Sequence, residues 1–299
     1  MKPPPFTYHD PSTVAEALEL LSGNDNARLL AGGQSLMPML AMRFVLPDDV
    51  IDINNIAELS GIEVTGGGLR IGAMTRQRDI EFSDVVQQHC PLMREAILQV
   101  GHRQTRNRGT LGGSMAHLDP SAELPTVAMA TDATIHVASA KGTRDIAMAD
   151  YPAGYMTPAM ELDEMVTGVS FPDWPAGHGY GFVEFARRHG DFAITSAACL
   201  MTLDASGAID RISLTVSGVG PAPVRCRDAE AMLIGQHPSE DALKAAGETC
   251  RAIDAMADVH ASSDYRQHLA TVMSRRAMTA AAARAAGTTG ATGATGKGE

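Results

Sequence analysis

The apolar positions of the chain switch between two periods, and the switches mark its elements. Val14, Ala17, Leu18 and Leu21 recur at helical spacing, with Thr13 and Glu16 placed as a capping box. A helix is therefore expected over residues 13–21. A short strand over 28–31 runs into Gly32-Gly33, and another is expected over 50–53. Two apolar-rich runs, 62–65 and 69–73, flank Gly66-Gly67-Gly68 and read as a hairpin. Helical spacing returns through Leu92, Ala96, Ile97 and Val100, and a short helix is expected after Pro125. Strands are expected over 134–138 and 165–171. The breaker-rich run Pro172-Asp173-Trp174-Pro175-Ala176-Gly177-His178-Gly179 then places a boundary near residue 177. Beyond it come three strands, over 180–185, 193–203 and 209–216, the last two joined by a turn at Asp204-Ala205-Ser206-Gly207. Helices over 239–257 and 264–286 follow. Residues 287–299 are low-complexity and are expected to form a disordered tail. The pattern is that of an α+β chain in two parts, 1–177 and 178–286.

Composition narrows the function. The 299 residues carry 24 Lys and Arg against 35 Asp and Glu, a formal charge of −11. Coating nucleic acid needs a clustered basic excess, so that class is excluded. No run approaches the ~20 apolar residues of a membrane span, and the first residues lack the apolar stretch of a secretory signal. A cytoplasmic protein is expected. Cys90, Cys199, Cys226 and Cys250 are scattered, without the close pairs of zinc or iron–sulfur sites. The histidines are dispersed too, so no protein-held metal is expected. GxGxxG, Walker A, GxSxG and HExxH motifs are absent; Gly112 to Ala116 stops short of a nucleophile elbow because Ala116 stands where the final glycine would be.

Two segments share a different logic: Leu29-Leu30-Ala31-Gly32-Gly33-Gln34-Ser35 and Gly109-Thr110-Leu111-Gly112-Gly113-Ser114. A glycine pair allows positive φ and close approach to the backbone. Consecutive amides in such turns can cradle an anion. Two such turns together are a candidate split diphosphate site. Arg103, Arg106 and Arg108 precede the second pair in a stretch, Glu95 to Asp119, with no acid between its ends. That island reads either as a field favouring an anion or as arginines paired with acids elsewhere. Asp119, Ser121 and Glu123 can contact a ribose or cap a helix. His102, His117 and His189 are candidate general bases only if the chain carries a reaction of its own.

AGGQSLMPML (31–40) and GHRQTRNRGTLGGSMAHLDPSAELP (101–125) resemble the FAD-binding medium subunits of the molybdenum hydroxylase family, that of xanthine dehydrogenase and aerobic carbon monoxide dehydrogenase. The resemblance extends over FTYHDPSTVAEALELL, GYGFVEFARRHGDFAITSAA and YRQHLATVMSRRA, and only the tail falls outside it. It implies a two-lobed PCMH-type FAD-binding domain, with lobes of about 1–57 and 58–177. A C-terminal domain with a three-stranded antiparallel sheet and helices would follow. It implies an electron-transfer subunit holding FAD. A large molybdopterin subunit would oxidise the substrate, and a small subunit with two 2Fe–2S clusters would relay electrons, in a dimer of heterotrimers. Ala31 to Ser35 and Thr110 to Ser114 match the family's diphosphate loops, with Leu29 and Leu30 leading into the first. Glu123 matches a nucleotide contact, Met160 an apolar position against a ring, and Arg187 and Asp191 the segment near the isoalloxazine. No catalytic residue is assigned. A lysine of xanthine dehydrogenase is absent near Ala186, so Arg187 or Arg188 would supply the charge there or form a surface ion pair. The Cys-rich insertion of the 4-hydroxybenzoyl-CoA reductase branch is absent as well. The segment 101–120 leans toward the branch that oxidises N-heterocycles, with carbon monoxide or an aldehyde as other substrates. A self-sufficient flavoenzyme and a flavin-free scaffold are the competing readings.

Overall fold

A computed structural model describes residues 2–287; the expected tail, Gly287 apart, lies outside the described residues. The chain opens with β1 (Thr7–His9), α1 (Val14–Gly23), β2 (Ala27–Leu30), α2 (Leu36–Ala41) and β3 (Asp49–Asp52). The three strands form a parallel sheet in the order β1-β3-β2. Helix α1 starts as its pattern requires: Thr13 Oγ1 accepts from the Glu16 amide at 3.2 Å. The Glu16 carboxylate turns back one residue further than a capping box needs and accepts from the Ser12 amide at 2.8 Å. Ala17, Leu18 and Leu21 face Ile51, Ile53 and Ile56 in a small core that also takes Met74 and Met165. Burying a side chain of this size stabilises by roughly 1.5–3 kcal/mol.

The next stretch builds an antiparallel sheet wrapped by short helices. Its members are β4 (Ile62–Thr65), β5 (Gly68–Gly72), α3 (Gln77–Glu81), α4 (Asp84–His89), α5 (Pro91–Ile97), α6 (Arg103–Arg108), α7 (Leu111–His117), α8 (Glu123–Ala130), β6 (Thr134–Ser139), β7 (Gly142–Ala147), the small hairpin β8 (Pro152–Gly154) and β9 (Thr157–Pro158), and β10 (Met165–Pro172). The strand order is β4-β5-β10-β6-β7. The hairpin over 62–72 forms as its pattern predicts. Two helices, α6 and α7, occupy the Gly- and Arg-rich stretch, where the sequence pattern predicts no element. Helix α8 begins at Glu123, before Pro125 rather than after it, because proline is tolerated in a first turn where its missing N–H is not needed.

After the breaker run come β11 (Gly179–Phe185), β12 (Thr195–Leu203), β13 (Ile209–Ser217), β14 (Val224–Arg225), α9 (Arg227–Leu233), α10 (Glu240–Thr249) and α11 (Ser263–Ala285). To the three expected antiparallel strands the structure adds β14, whose two residues are too few to show a period. Helix α10 closes at Thr249 instead of 257, through one 3₁₀ turn into the extended Ile253. Strand β12 is buried on both faces. Ala197, Cys199 and Met201 pack with α9, α10 and α11, while Ala198 and Leu200 join the core of the five-stranded sheet, α5 and α8. The period of two thus splits one strand between two cores.

Candidate functional site

Both glycine segments come together at one cavity of about 790 Å³, within the ~300–1,000 Å³ range of small-molecule sites. The contact between them is backbone on backbone. A Cβ on Gly32 would lie 2.2 Å from the Arg108 carbonyl oxygen and 2.9 Å from the Gly109 Cα, so only glycine fits. Gly33 holds φ +73°, which an L side chain rarely adopts, and such a turn can aim successive amides at one anion. The second loop is tied down by its own backbone. Gly112 N donates to Ala73 O at 2.8 Å, Leu111 N to Thr75 O at 3.1 Å, and Gln77 N to Gly109 O at 2.8 Å. A Cβ on Gly112 would sit 2.5 Å from the Ala73 Cβ. Thr110 Oγ1 accepts from the Gly113 amide at 3.1 Å and starts α7.

The remaining walls come from several elements. Glu123 stands at the head of α8, and Met160 and Met165 flank the approach to β10. Burial, reinforced by the neighbouring Glu184, pushes the Glu123 carboxyl up to about 8, so it is protonated near neutrality and can donate a hydrogen bond. The Met160 sulfur accepts from the Tyr151 hydroxyl at 3.2 Å. Asp191 reaches the wall too, its carboxyl held low by the hydrogen bond from Arg188.

Of the residues the sequence nominated, Leu29, Ala31 to Ser35, Thr110, Gly112 to Ser114, Glu123, Met160 and Asp191 line this one cavity. Leu30, Leu111 and Arg187 do not. Leu111 is fully buried beneath the loop, and the Arg187 guanidinium lies 3.8 Å from Asp191. Arg188 meets the same carboxylate at 3.1 Å, so the arginine pair forms the surface ion pair, not a free charge beside the cavity. The arginine island resolves similarly: none of its three members lines the wall. Arg106 is buried and paired with Glu81 at 2.8 Å, while Arg103 and Arg108 are exposed. Asp119 does line the cavity, yet its carboxylate closes a turn by accepting from the Ser121 amide at 2.8 Å and caps no helix. His117 lies in the wall, and the His102 and His189 rings meet edge-on with centroids 6.1 Å apart.

Sequence reasoning missed Arg28, Gln77, Thr105 and Phe192, all of which line the cavity. Among the described residues, Gln77 Oε1 is buried with no hydrogen-bond partner. Phe192, 70% exposed beside Asp191, offers an aromatic face at the rim; an aromatic directly after the run Arg187 to Asp191 is its only signal. Glycine-lined amides, one neutral carboxyl, apolar thioethers and an aromatic rim suit a ligand combining a diphosphate, a sugar and a flat ring. Among the described residues, no group of three His, Cys, Asp or Glu could hold a metal, and no helix is long and apolar enough to cross a membrane.

Comparison with known proteins defines the class. Residues 4–174 match the FAD binding domain in molybdopterin dehydrogenase, and residues 180–281 match the CO dehydrogenase flavoprotein C-terminal domain. The chain belongs to the family of FAD-binding medium subunits of molybdenum hydroxylases, and is part of an oxidoreductase. It is similar to the 6-hydroxypseudooxynicotine dehydrogenase complex subunit alpha of Paenarthrobacter nicotinovorans, 39% identical over 94% of this chain and 96% of that one. Its fold matches a chain of the carbon monoxide dehydrogenase of Hydrogenophaga pseudoflava that lacks the Mo-pyranopterin moiety, with TM-score 0.92, 36% identity and coverage of 95% and 99%. A chain of quinoline 2-oxidoreductase from Pseudomonas putida 86 matches with TM-score 0.91, 33% identity and the same coverage.

Proposed function

We propose that this chain carries FAD between the 2Fe–2S clusters of a small partner subunit and an external acceptor, in a heterotrimer whose large subunit oxidises the substrate at a molybdopterin centre. The observation that carries the reading is the meeting of two distant glycine loops across one cavity of about 790 Å³. The amides of Ala31 to Ser35 and of Thr110 to Ser114 would hold the diphosphate. Protonated Glu123 would donate to the nucleotide portion without placing a second negative charge there. Met160 would pack against a ring, and Phe192 and Asp191 would border the flavin end. When bound, FAD takes up electrons and releases them as a pair; the protein supplies binding, orientation and electrostatics. No residue of this chain needs to act as acid or base on a substrate.

Exposed apolar side chains lie just past the first loop, at Met42, Phe44 and Leu46, and at the rim, at Leu162 and Phe192. Such surface suits burial in an assembly, here a dimer of heterotrimers. Relatives named for a nicotine derivative and for quinoline support an N-heterocyclic substrate. Pull-down of the native complex with this chain, followed by native mass spectrometry and a visible spectrum, tests the reading. Large and small subunits with flavin and iron–sulfur absorbance are expected. A lone yellow chain that reduces a dye would replace it with a self-sufficient flavoenzyme, and a colourless chain with a scaffold.

A further inference from the structure

We propose that Asn54 and Arg76 are positioning residues that fix the spacing of the two glycine loops and thereby set the affinity and environment of the flavin. The inference rests on the reading of the cavity as an FAD site. Neither side chain lines that cavity. Each instead grips a carbonyl immediately before a glycine turn. Asn54 Nδ2 donates to Ala31 O at 2.8 Å, just ahead of Gly32-Gly33. Arg76 Nη1 donates to Arg108 O, just ahead of Gly109-Thr110. The two residues join each other, because Arg76 Nη2 donates to Asn54 Oδ1 at 2.6 Å. The far end is anchored as well: Asn54 Nδ2 also donates to Asp52 Oδ1, and the Tyr8 hydroxyl donates to Asp52 Oδ2 at 2.8 Å. One chain of hydrogen bonds therefore runs from the small parallel sheet, through both loop entrances, to the turn after β5.

Geometry makes this chain a spacer. The Arg108 carbonyl held by Arg76 is the same oxygen that would meet a Cβ on Gly32. Where two backbones approach this closely, the carbonyls at the contact still need donors, and Asn54 and Arg76 supply them. Arginine suits the place because its planar fork sends two donors at a fixed angle to acceptors on different elements. Lysine keeps the charge but cannot make both bonds in that geometry. Asn54 uses both ends of its amide, so leucine of similar size breaks the links to Ala31, to Arg76 and from its side chain to Asp52.

The test uses the purified complex, stripped of flavin and titrated with FAD, with flavin fluorescence and visible circular dichroism as readouts. Arg76→Lys and Asn54→Leu are each expected to raise the Kd for FAD about tenfold, or ~1.4 kcal/mol. Each is also expected to change the flavin dichroism. The double variant should be little worse than either single one, because both break the same chain. Tyr8→Phe, at a half-exposed outer link, should give a smaller rise in the same direction and covers the case in which an inner variant fails to fold. Wild-type affinity and dichroism in Arg76→Lys would overturn the positioning role and leave a charge effect at most. Additive effects in the double variant would also overturn it. Failure of the wild-type complex to bind FAD would instead defeat the underlying reading of the site.

Discussion

The two glycine loops look alike in sequence and are held in different ways. The second is stitched into the fold: its backbone makes three hydrogen bonds to residues 73–77, Gly112 rests on Ala73, and Thr110 caps its own helix. Upstream, buried Arg106 fastens α6 to α3 through Glu81 and to the Val100 carbonyl at 3.0 Å. The first loop leans on its neighbour. It meets Arg108 and Gly109 through Gly32, is gripped at Ala31 by Asn54, and leads into exposed Met37, Met42, Phe44 and Leu46. The cavity is thus built from one fixed wall and one positioned wall. Damage to the fixed wall should register as lost stability, and damage to the positioned wall as lost cofactor.

The largest effect is expected at the fixed wall. Arg106→Met leaves the buried Glu81 carboxylate unpaired and should cost about 3–5 kcal/mol, read as a lower denaturant midpoint. A midpoint shift below ~1 kcal/mol would mean that α6 is held by other contacts. Gly112→Ala forces a methyl group onto Ala73 and should cost about 1–3 kcal/mol. Gly32→Ala sharpens the contrast. Its methyl group must push the first loop off Arg108 O, so flavin content should fall severely while the flavin-free chain melts near the wild-type temperature. Equal loss of melting temperature in both glycine variants would erase the distinction between the walls.

Glu123 gives the shared cavity a pH signature. Its folded pKa, pushed up to about 8, lies above a glutamate's ordinary value of 4.5. The folded state therefore binds the proton more tightly. The stability this contributes is complete below about pH 4.5 and is lost as pH rises through 8. The slope from this one group reaches at most ~1.4 kcal/mol per pH unit. Glu123→Gln should remove that part of the decline in flavin-free protein, as urea unfolding across pH 5–9 will measure. An unchanged slope would place the titration elsewhere. The smallest effect is the loss of a cap: Thr110→Ala should cost ~1 kcal/mol, with Thr110→Ser restoring most of it.

Much of this was legible in the chain because local physics fixed it. The hairpin around Gly66 to Gly68, helix α1 behind Thr13, and the glycine pairs each carry their signal within a few residues. What escaped depended on distant partners. Helix α7 contains Gly112 and Gly113, poor helix formers, and exists because only glycine lets that backbone lie against Ala73. The arginine island promised a positive field, but Arg106 is committed to an acid 25 positions away in sequence. Gln77 and Phe192 reach the cavity from segments that lie outside every element the sequence pattern predicts. Asn54 and Arg76 were invisible for the same reason: their partners are carbonyls, and a sequence does not show where carbonyls point.

The central claim is that both loops hold one FAD. Its most direct test is the flavin released on denaturing the purified complex, identified by chromatography and counted against this chain. The account predicts FAD equimolar with the chain in wild type and a large loss in Gly32→Ala. FMN in its place, no flavin at all, or full FAD in the Gly32→Ala complex would contradict it.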